Sequence, residues 1–393
     1  MPKLVNKENC VGCSACTSIC RKQCIEMKKD SEGFVYPIFT HPENCVECGM
    51  CENVCPVLEQ NIEESDTLPS AYAAVAKDES IRLNSSSGGI FTEISKKVIV
   101  QNGVVYGAAY NQSFAVVHEC VKNIDDLQKL RGAKYAESDL GSTYLEILSR
   151  LKNDQIVLFS GTPCQVSGLK SFLKRDYENL ICVDFVCHGV PSSMAWKEYV
   201  KYRAKIDANG DMPIKINLRD KTSGWSKYKY FNVFQYQDGT EHSCVSSDSL
   251  YMKLFVGDYI SRKSCSDCKF KGYSRVSDIT LGDFWGIWDI APEMDDNKGT
   301  SLVLIQSEKG RKLFESISER IEFKVMTLEQ ASLQNPSILK SSPENPKRQH
   351  VLDMIREGRI DELENMFRVV SKEKNSIIRK IVRKLKNVFG YNV

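Results

Sequence analysis

Eight cysteines near the start of the chain form two runs with the same spacing. The runs are Cys10-x2-Cys13-x2-Cys16-x3-Cys20 and Cys45-x2-Cys48-x2-Cys51-x3-Cys55, the second followed directly by Pro56. Three cysteines within seven residues can surround three corners of an iron–sulfur cubane, because thiolates are soft ligands for iron. The spacing predicts two [4Fe–4S] clusters. The alternative is a pair of four-cysteine zinc sites, which usually have longer intervals between their C-x2-C pairs.

The ligands of the two clusters follow from the way such runs pair. In two-cluster ferredoxins the fourth cysteine of each run ligates the other cluster. We therefore expect one cluster to be held by Cys10, Cys13, Cys16 and Cys55. The second cluster is expected on Cys45, Cys48, Cys51 and Cys20. Cys24 has no partner in this pattern and is predicted to be a small buried apolar residue.

Four further cysteines occur on three separate loops. Cys164 follows the apolar run QIVLFS, Cys187 follows LICVDFV, and Cys265 and Cys268 form a C-x2-C loop. The first two stand at the carboxyl ends of predicted strands, where α/β sheets place ligand sites. We expect the four thiolates to hold a third [4Fe–4S] cluster. One alternative is structural zinc on the same residues, and another is Cys164 as a nucleophile paired with His188, its thiol pKa lowered by a helix N-terminus.

A serine- and glycine-rich segment could bind an anion. Ser85-Ser86-Ser87-Gly88-Gly89 precedes the helical pattern IFTEISKKVIVQ. Hydroxyl groups, glycines that permit close approach and free helix N-terminal amides together suit a nucleotide or flavin diphosphate. The alternative is a simple helix cap.

The composition limits the class of protein. The chain has 393 residues, 42% of them hydrophobic and 26% charged, with a formal net charge of +2. These values are typical of a soluble globular protein, and they give no global field that would mark a nucleic-acid partner. Nine of the sixteen cysteines lie within residues 10–55, a clustering that favours metal over disulfides. No signal peptide or run of 18 apolar residues is visible, so we expect a cytoplasmic protein.

The apolar periodicity predicts an α+β ferredoxin-like module followed by an α/β domain with a partly parallel mixed sheet. Strands are predicted at 104–110, 155–160 and 180–186, helices at 89–101, 138–152, 165–174 and 192–206, and an antiparallel portion at 213–245. We expect domains over residues 1–60 and 71–345, and a helical basic tail over 346–393. The amphipathic segment 376–389 is interpreted as a docked terminal helix, with peripheral contact to an anionic membrane or an acidic partner as the alternative.

Several motifs together resemble one family. SSSGGIF, LRGAKYAES, FSGTPCQVSGL, VDFVCHGVPS, SCSDCKF and SDITLGDFWG resemble, in this order, the coenzyme F420 hydrogenase/dehydrogenase beta-subunit family. Some members carry an N-terminal two-cluster ferredoxin. The resemblance implies FAD in the 71–345 domain, with the Ser85–Gly89 loop and Lys134 and Tyr135 as contacts. On that basis His188, Asp283 and Trp285 are candidates for lining the flavin site.

The resemblance implies an FAD- and [4Fe–4S]-dependent oxidoreductase that moves electrons between a small-molecule hydride carrier and a one-electron redox partner protein or ferredoxin. Coenzyme F420 is one candidate carrier, and its anionic tail would need a basic mouth. The residues that could supply this mouth are Lys134, Arg219, Lys229, Arg262 and Arg275. Two alternatives stay open: a reductase of a polysaccharide-pathway or other organic substrate, and a non-catalytic electron-transfer subunit of a larger complex.

Overall fold

The computed structural model describes residues 1–58 and 68–368, so the predicted terminal helix over 376–389 lies outside the described residues. The strands are β1 Ile25–Lys29, β2 Val35–Phe39, β3 Ser70–Ala76, β4 Val104–Tyr110, β5 Val116–Val121, β6 Val157–Ser160, β7 Leu180–Phe185, β8 Lys215–Asp220, β9 Phe231–Gln235, β10 Glu241–Val245, β11 Ile279–Asp283, β12 Ser301–Ile305 and β13 Ile321–Met326. The helices are α1 Ala15–Ile19, α2 Met50–Asn53, α3 Glu79–Leu83, α4 Ile90–Val100, α5 Thr143–Lys152, α6 Pro163–Leu173, α7 Ser193–Asp207, α8 Leu250–Val256, α9 Ile287–Ile290, α10 Glu308–Glu315, α11 Leu328–Ser332 and α12 Arg348–Arg356.

The main domain is built on an eight-stranded mixed sheet in the order β13-β3-β12-β11-β7-β6-β4-β5. Its central strands β4, β6, β7 and β11 are parallel to their neighbours within that group. The flanking strands pair antiparallel. This arrangement confirms the predicted partly parallel mixed sheet. The parallel strands are apolar on both faces because helices and the ferredoxin region cover them.

Local capping chemistry sets the helix boundaries near the cysteine loops. Helix α6 begins at Pro163, two residues before the predicted start, because Thr162 and Gln165 form a capping box. Helix α5 begins at Thr143 rather than at 138. The segment before it turns instead, because the Asp139 side chain accepts from the Gly141 N–H at 3.0 Å and Gly141 has φ of 47°.

Strands β8, β9 and β10 form a separate antiparallel sheet, as the pattern over 213–245 predicts. This sheet packs with helices α7, α8 and α12 around a core that contains Trp196, Phe234 and Tyr251. None of the helices within residues 1–58 and 68–368 is long and apolar enough to cross a membrane.

The N-terminal region consists of α1, the antiparallel hairpin β1–β2 and α2. Ala15 and Val54 of this region share a core with Leu169 and Phe172 of α6. The cysteine-bearing region is therefore packed directly on the helix that follows the Cys164 loop. This placement sets the relation between the two groups of cysteines.

Candidate functional site

Three loops of the main domain bring four cysteines to one cavity. Cys164 lies in the first turn of α6, Cys187 follows β7, and Cys265 and Cys268 lie on the loop after α8. All four line a cavity with a total empty volume of about 460 Å³, including its open mouth. The sheet topology explains this, because parallel neighbours β6 and β7 end at the same edge.

The four cysteines of this cavity are partly buried, and three of their thiols have a raised pKa. Burial raises the pKa of Cys164 to about 12 and that of Cys265 to about 11, and it raises the pKa of Cys187 as well. The direction of this shift is opposite to the lowered pKa that the nucleophile alternative requires, because desolvation disfavours the thiolate. A raised thiol pKa disfavours the nucleophile alternative, since the thiolate is the reactive form.

Cations surround the same cavity. Arg262, Lys271 and Arg275 contribute to its lining. The Arg275 side chain is only 4% exposed, and its Nη2 has no hydrogen-bond partner among the described residues. The buried Ser264 hydroxyl, also on the cavity wall, is likewise unpartnered within the described part of the chain. Unsatisfied donors at a buried site indicate a group that supplies acceptors or negative charge.

His188 also lies on this cavity. Its Nε2 is 3.1 Å from Asp258 Oδ1, and its ring packs edge-on against Phe255 at 5.0 Å. The structure thus places His188 with the cysteines. The other two residues predicted for the flavin site, Asp283 and Trp285, lie in a different cluster.

The first predicted ferredoxin set is brought together. Cys10, Cys13, Cys16 and Cys55 line a second cavity, with a total empty volume of about 380 Å³. The pairing of Cys55 with the first run is the crossover expected from the spacing. Burial raises the pKa of Cys16 to about 12, helped by the nearby Cys10 and Cys55 thiols.

The second predicted ferredoxin set is more open. Cys51 is buried in a small apolar cluster that also includes Cys20 and Cys45 at its edge, whereas Cys48 is exposed. Cys24 is 1% exposed in the same cluster, as predicted for a buried apolar residue. The Cys20 Sγ accepts from the Cys24 N–H at 3.3 Å, so Cys24 packs against this set without belonging to the spacing pattern.

The two cysteine-lined cavities are neighbours. Val11 lines both of them. A Cβ built on Gly168 of α6 would lie 2.8 Å from the Cys13 Cβ and 2.9 Å from its Sγ. Gly168 thus allows the helix that carries Cys164 to contact the ferredoxin cysteine loop directly.

The serine-glycine segment is held by the rest of the domain. The Ser85 hydroxyl donates to the Ile81 carbonyl at 2.7 Å, and the Ser87 hydroxyl donates to the Thr300 carbonyl at 2.8 Å. A Cβ on Gly88 would lie 2.3 Å from the Ala74 carbonyl oxygen, so only glycine fits beside β3. Gly89, with φ of 89°, is the N-cap residue of α4.

Arg219 joins several of the predicted flavin contacts. Its Nη2 donates to the Ser86 carbonyl at 3.1 Å and to Asp283 Oδ1 at 2.8 Å, and its Nη1 donates to the Tyr135 hydroxyl at 3.2 Å. The guanidinium lies 5.1 Å from the Trp285 ring centroid. Ser86, Tyr135, Asp283 and Trp285 therefore converge on one buried cation. We refer to these four residues and Arg219 as the Arg219 cluster.

Aromatic rings extend the Arg219 cluster toward solvent. Trp285 stacks on the fully buried Trp225 with centroids 4.7 Å apart, and the half-exposed Tyr228 lies 4.5 Å from Trp285 on a backbone with φ of 63°. Sequence reasoning placed Arg219 only in a basic mouth. The alternation of buried and exposed side chains along a strand would not have identified Arg219, because the neighbouring residues Leu218 and Arg219 of β8 are both buried.

Lys134 does not share the contacts of Tyr135 with Arg219. Its Nζ donates to the carbonyls of Arg131 at 2.7 Å and Gly132 at 3.2 Å. Burial lowers the pKa of Lys134 to about 7. The three arginines predicted for a basic mouth are not assembled in one place, since Arg262 and Arg275 line the four-cysteine cavity whereas Arg219 belongs to the Arg219 cluster. Each arginine side chain is buried in an ion pair. These pairs are Arg219–Asp283, Arg262–Glu137 and Arg275–Asp184.

Comparisons with known proteins match two parts of the chain. Residues 154–331 match the family model for the C-terminal part of the beta subunit in coenzyme F420 hydrogenase/dehydrogenase, and residues 9–58 match the 4Fe-4S dicluster domain. These matches confirm the family resemblance seen in the motifs. No curated protein matches the chain. One similar solved chain belongs to the F420-reducing [NiFe] hydrogenase complex from Methanosarcina barkeri, with 14% identity and a TM-score of 0.45, covering 78% of this chain and 94% of that one.

Proposed function

We infer the function from the premise that this chain is an iron–sulfur electron-transfer oxidoreductase of the coenzyme F420 hydrogenase/dehydrogenase beta-subunit family. We propose that it moves electrons between a two-electron hydride carrier and a one-electron partner by means of FAD and [4Fe–4S] clusters. One observation carries the proposal. The four-cysteine cavity lies against the ferredoxin cysteines, with Val11 in the wall of both.

For the dicluster region we propose the crossed ligand sets. Cys10, Cys13, Cys16 and Cys55 line one cavity, which suits four thiolates around a single cluster. Cys20, Cys45 and Cys51 gather around Cys24, with Cys48 at the surface beside them. The exposed set is then the one nearer to a partner protein. Clusters of this kind take up and release single electrons when bound.

For the main domain we propose a third [4Fe–4S] cluster on Cys164, Cys187, Cys265 and Cys268. The chemistry of the donor set fits, since four soft sulfurs face one cavity. The unpartnered Arg275 Nη2 and Ser264 Oγ suit a group with negative charge and acceptor sulfides. Zinc on the same thiols would draw all four sulfurs to about 2.3 Å from one ion.

For the flavin we propose the Arg219 cluster and the adjoining Ser85–Gly89 segment. Trp285 and Tyr228 offer aromatic faces, and Arg219 is a buried cation whose Nε has no partner among the described residues. A flavin bound there would supply hydride chemistry on one side and single electrons on the other. Asp283 and Tyr135 would orient Arg219 toward it through their hydrogen bonds. We propose Lys134 as a support of the loop that carries Tyr135.

The hydride carrier is the open part of this proposal. Coenzyme F420 is the candidate that the family suggests. Because Arg219, Arg262 and Arg275 are each paired with a carboxylate, a less anionic organic substrate is also compatible with the domain. Incubation of anaerobic protein with reduced F420, and separately with reduced nicotinamide, decides between them. Bleaching of flavin and cluster absorbance by reduced F420 alone would support the first carrier.

A second candidate function is an electron-transfer subunit within a larger complex. It is favoured by the surface around the second ferredoxin set, where Val46 is 62% exposed beside the exposed Cys48. An apolar residue next to a surface cluster ligand suits docking of a redox partner. Absence of flavin in the purified protein would favour this function over the enzyme.

The experiment that tests the proposal is metal and flavin analysis of protein purified without oxygen. We expect about twelve irons and one FAD per chain, the content of three cubanes and one flavin site. A variant with Cys265→Ser and Cys268→Ser should retain about eight irons. The matched control carries Cys120→Ser and Cys244→Ser, two cysteines outside both cavities, and should keep the full count. Equal iron in the two variants, or zinc replacing the lost iron, would refute the third cluster.

A further inference from the structure

We propose that Arg262 is a positioning residue shared by the first ferredoxin cysteine set and the four-cysteine cavity, which fixes the distance between them and sets the charge at both. The inference rests on the proposed function, because it takes metal clusters to occupy the two sites. It assigns a role to a residue that belongs to no cysteine motif.

The contacts of Arg262 connect the two sites physically. The residue is 2% exposed and lines the four-cysteine cavity. Its Nε donates to the carbonyl of Cys10 at 2.8 Å, and its Nη2 donates to the Val35 carbonyl of the ferredoxin hairpin at 2.7 Å. One planar guanidinium thus fixes the backbone of a predicted cluster ligand against the wall of the neighbouring cavity.

The surroundings hold the Arg262 guanidinium rigidly. Nη1 donates to Glu137 Oε1 at 2.5 Å, and the Tyr36 ring lies with its centroid 4.3 Å from the guanidinium carbon. Glu137 itself accepts from the Val35 N–H at 2.9 Å. A Cβ on Gly12 would lie 2.8 Å from Arg262 Nη1, so the ligand loop closes over this arginine only because residue 12 is glycine.

The charge of Arg262 acts on both sites because it is buried between them. A fixed positive charge in a poorly solvated region stabilises added negative charge nearby, and screening by solvent is weak there. Reduction adds one negative charge to a cluster. Removing the Arg262 charge should therefore make reduction harder at both sites, and removing the opposing Glu137 charge should make it easier at both.

Arg348 provides a matched control. It is 3% exposed and also joins the ferredoxin hairpin to the main domain, with Nη2 2.6 Å from Glu32 Oε2 and Nε 2.5 Å from the Ser261 carbonyl. Like Arg262 it lies over an aromatic ring of the hairpin, 5.6 Å from the Phe34 centroid. Arg348 lines neither cysteine cavity among the described residues, so it shares the docking role of Arg262 without the electrostatic one.

The test measures cluster reduction potentials in the full-length holoprotein by anaerobic redox titration with electron paramagnetic resonance. We expect Arg262→Gln to shift two cluster signals to more negative potential, by about 59 mV if the equilibrium constant for one-electron reduction falls tenfold. Glu137→Gln should shift the same two signals in the positive direction. Arg348→Gln should leave both unchanged. Unchanged signals in Arg262→Gln and Glu137→Gln at full iron content, or equal shifts in Arg348→Gln, would overturn the proposal.

Two further outcomes have defined meanings. If Arg262→Gln does not fold, Glu137→Gln decides, because a positive shift of both signals supports the shared role and unchanged signals refute it. If the unmodified protein contains only about eight irons, the proposed third cluster fails and the inference about two sites is overturned with it. Iron analysis of the same samples therefore separates failure of the proposed function from failure of the role of Arg262.

Discussion

Gly168 is a residue at which the main domain comes into direct contact with the first ferredoxin cysteine loop. It lies in the middle of α6, where alanine would ordinarily stabilise the helix by up to about 1 kcal/mol. The close approach of its Cα to Cys13 opposes that gain, because an added Cβ would lie 2.9 Å from the Cys13 Sγ. The requirement for glycine here comes from the neighbouring thiol and not from backbone conformation, since the residue is helical.

We predict that Gly168→Ala reduces iron retention at the first ferredoxin set. The methyl group must displace Cys13 or α6 by several tenths of an ångström, which disturbs one of four ligands while the helix itself stays favourable. Iron analysis after anaerobic desalting should show a loss approaching four irons per chain, the content of one cubane. The control Lys170→Ala changes the same helix at a partly exposed position and should keep its iron. Equal retention in both variants would contradict the prediction.

At the scale of single residues, sequence alone indicated the cysteines, but it placed Arg219 and Arg262 only in a basic mouth. Cysteine spacing is informative because a cluster imposes its geometry on a short loop. Arg219 and Arg262 act through partners at least 64 residues away in sequence, at Asp283 and Cys10. No local pattern marks such pairs, so their roles emerge only when the fold brings the partners together.

Strand β5 carries a histidine that makes the free energy of unfolding depend on pH. His118 on this strand is partly buried, and desolvation lowers its pKa from 6.5 to about 4. Its Nε2 donates to the Ser160 carbonyl at 3.1 Å, at the end of β6 just before the Cys164 loop, and its ring stacks on Phe159. The folded protein therefore holds a neutral imidazole where the unfolded chain would hold a protonated one.

We predict that His118 makes the protein less stable as pH falls from 6.5 toward 4. In this window the unfolded state binds the extra proton, so the free energy of unfolding decreases by up to about 1.4 kcal/mol per pH unit. His118→Gln removes that dependence. Guanidinium unfolding midpoints at pH 7.5, 6.5 and 5.5, measured without oxygen, should fall more steeply for the unmodified protein than for the variant.

The comparison between the two proteins removes the effect of acid on the clusters, because both carry the same cysteines. If the unfolding midpoints of the two proteins fell in parallel as the pH is lowered, the pKa of His118 would not differ between the folded and unfolded states. A steeper decline in the variant would also contradict the prediction, since the sign of the dependence follows from which state binds the proton.

At the scale of elements, sequence periodicity was sufficient for strands β4, β6 and β7 and for the helices between them. These elements are local, and their apolar residues repeat at the spacing of a buried strand or an amphipathic helix. Boundaries depended on capping side chains, as at Thr162 of α6. Periodicity could not predict the order of the eight strands. Strand β3, from the start of the domain's sequence, lies between β12 and β13, which come from its end.

At the scale of the whole molecule, the ferredoxin region is fixed to the main domain by buried polar contacts as well as by an apolar core. The hairpin β1–β2 meets the N-terminus of α7, where the Ser192 and Ser193 hydroxyls donate to the carbonyls of Glu32 and Gly33. Arg348 adds a buried ion pair to Glu32. Such contacts are specific in geometry, so they hold the hairpin in one position on the main domain.

Two glycines with nearly the same positive φ allow the docking contact to be tested by itself. Gly33 in the β1–β2 turn has φ of 85°, and Gly239 in the β9–β10 turn has φ of 86°. A Cβ on Gly33 would lie 2.4 Å from the Met194 backbone nitrogen, whereas a Cβ on Gly239 would meet nothing within 4 Å. Alanine at either position incurs the same left-handed strain of about 1–2 kcal/mol, but only Gly33→Ala also collides with α7.

We predict that Gly33→Ala loosens the ferredoxin region, while Gly239→Ala shows only the local strain. Hydrogen exchange followed by mass spectrometry on the anaerobic holoprotein should be faster in peptides that cover residues 25–39 and the start of α7 for Gly33→Ala alone. The Gly239→Ala variant should exchange faster only around its own turn. If the two variants perturb only their own hairpins to the same degree, then the contact with Met194 does not hold the ferredoxin region in place, and the fixed separation of the two cysteine cavities must come from Arg262 and the apolar core on α6.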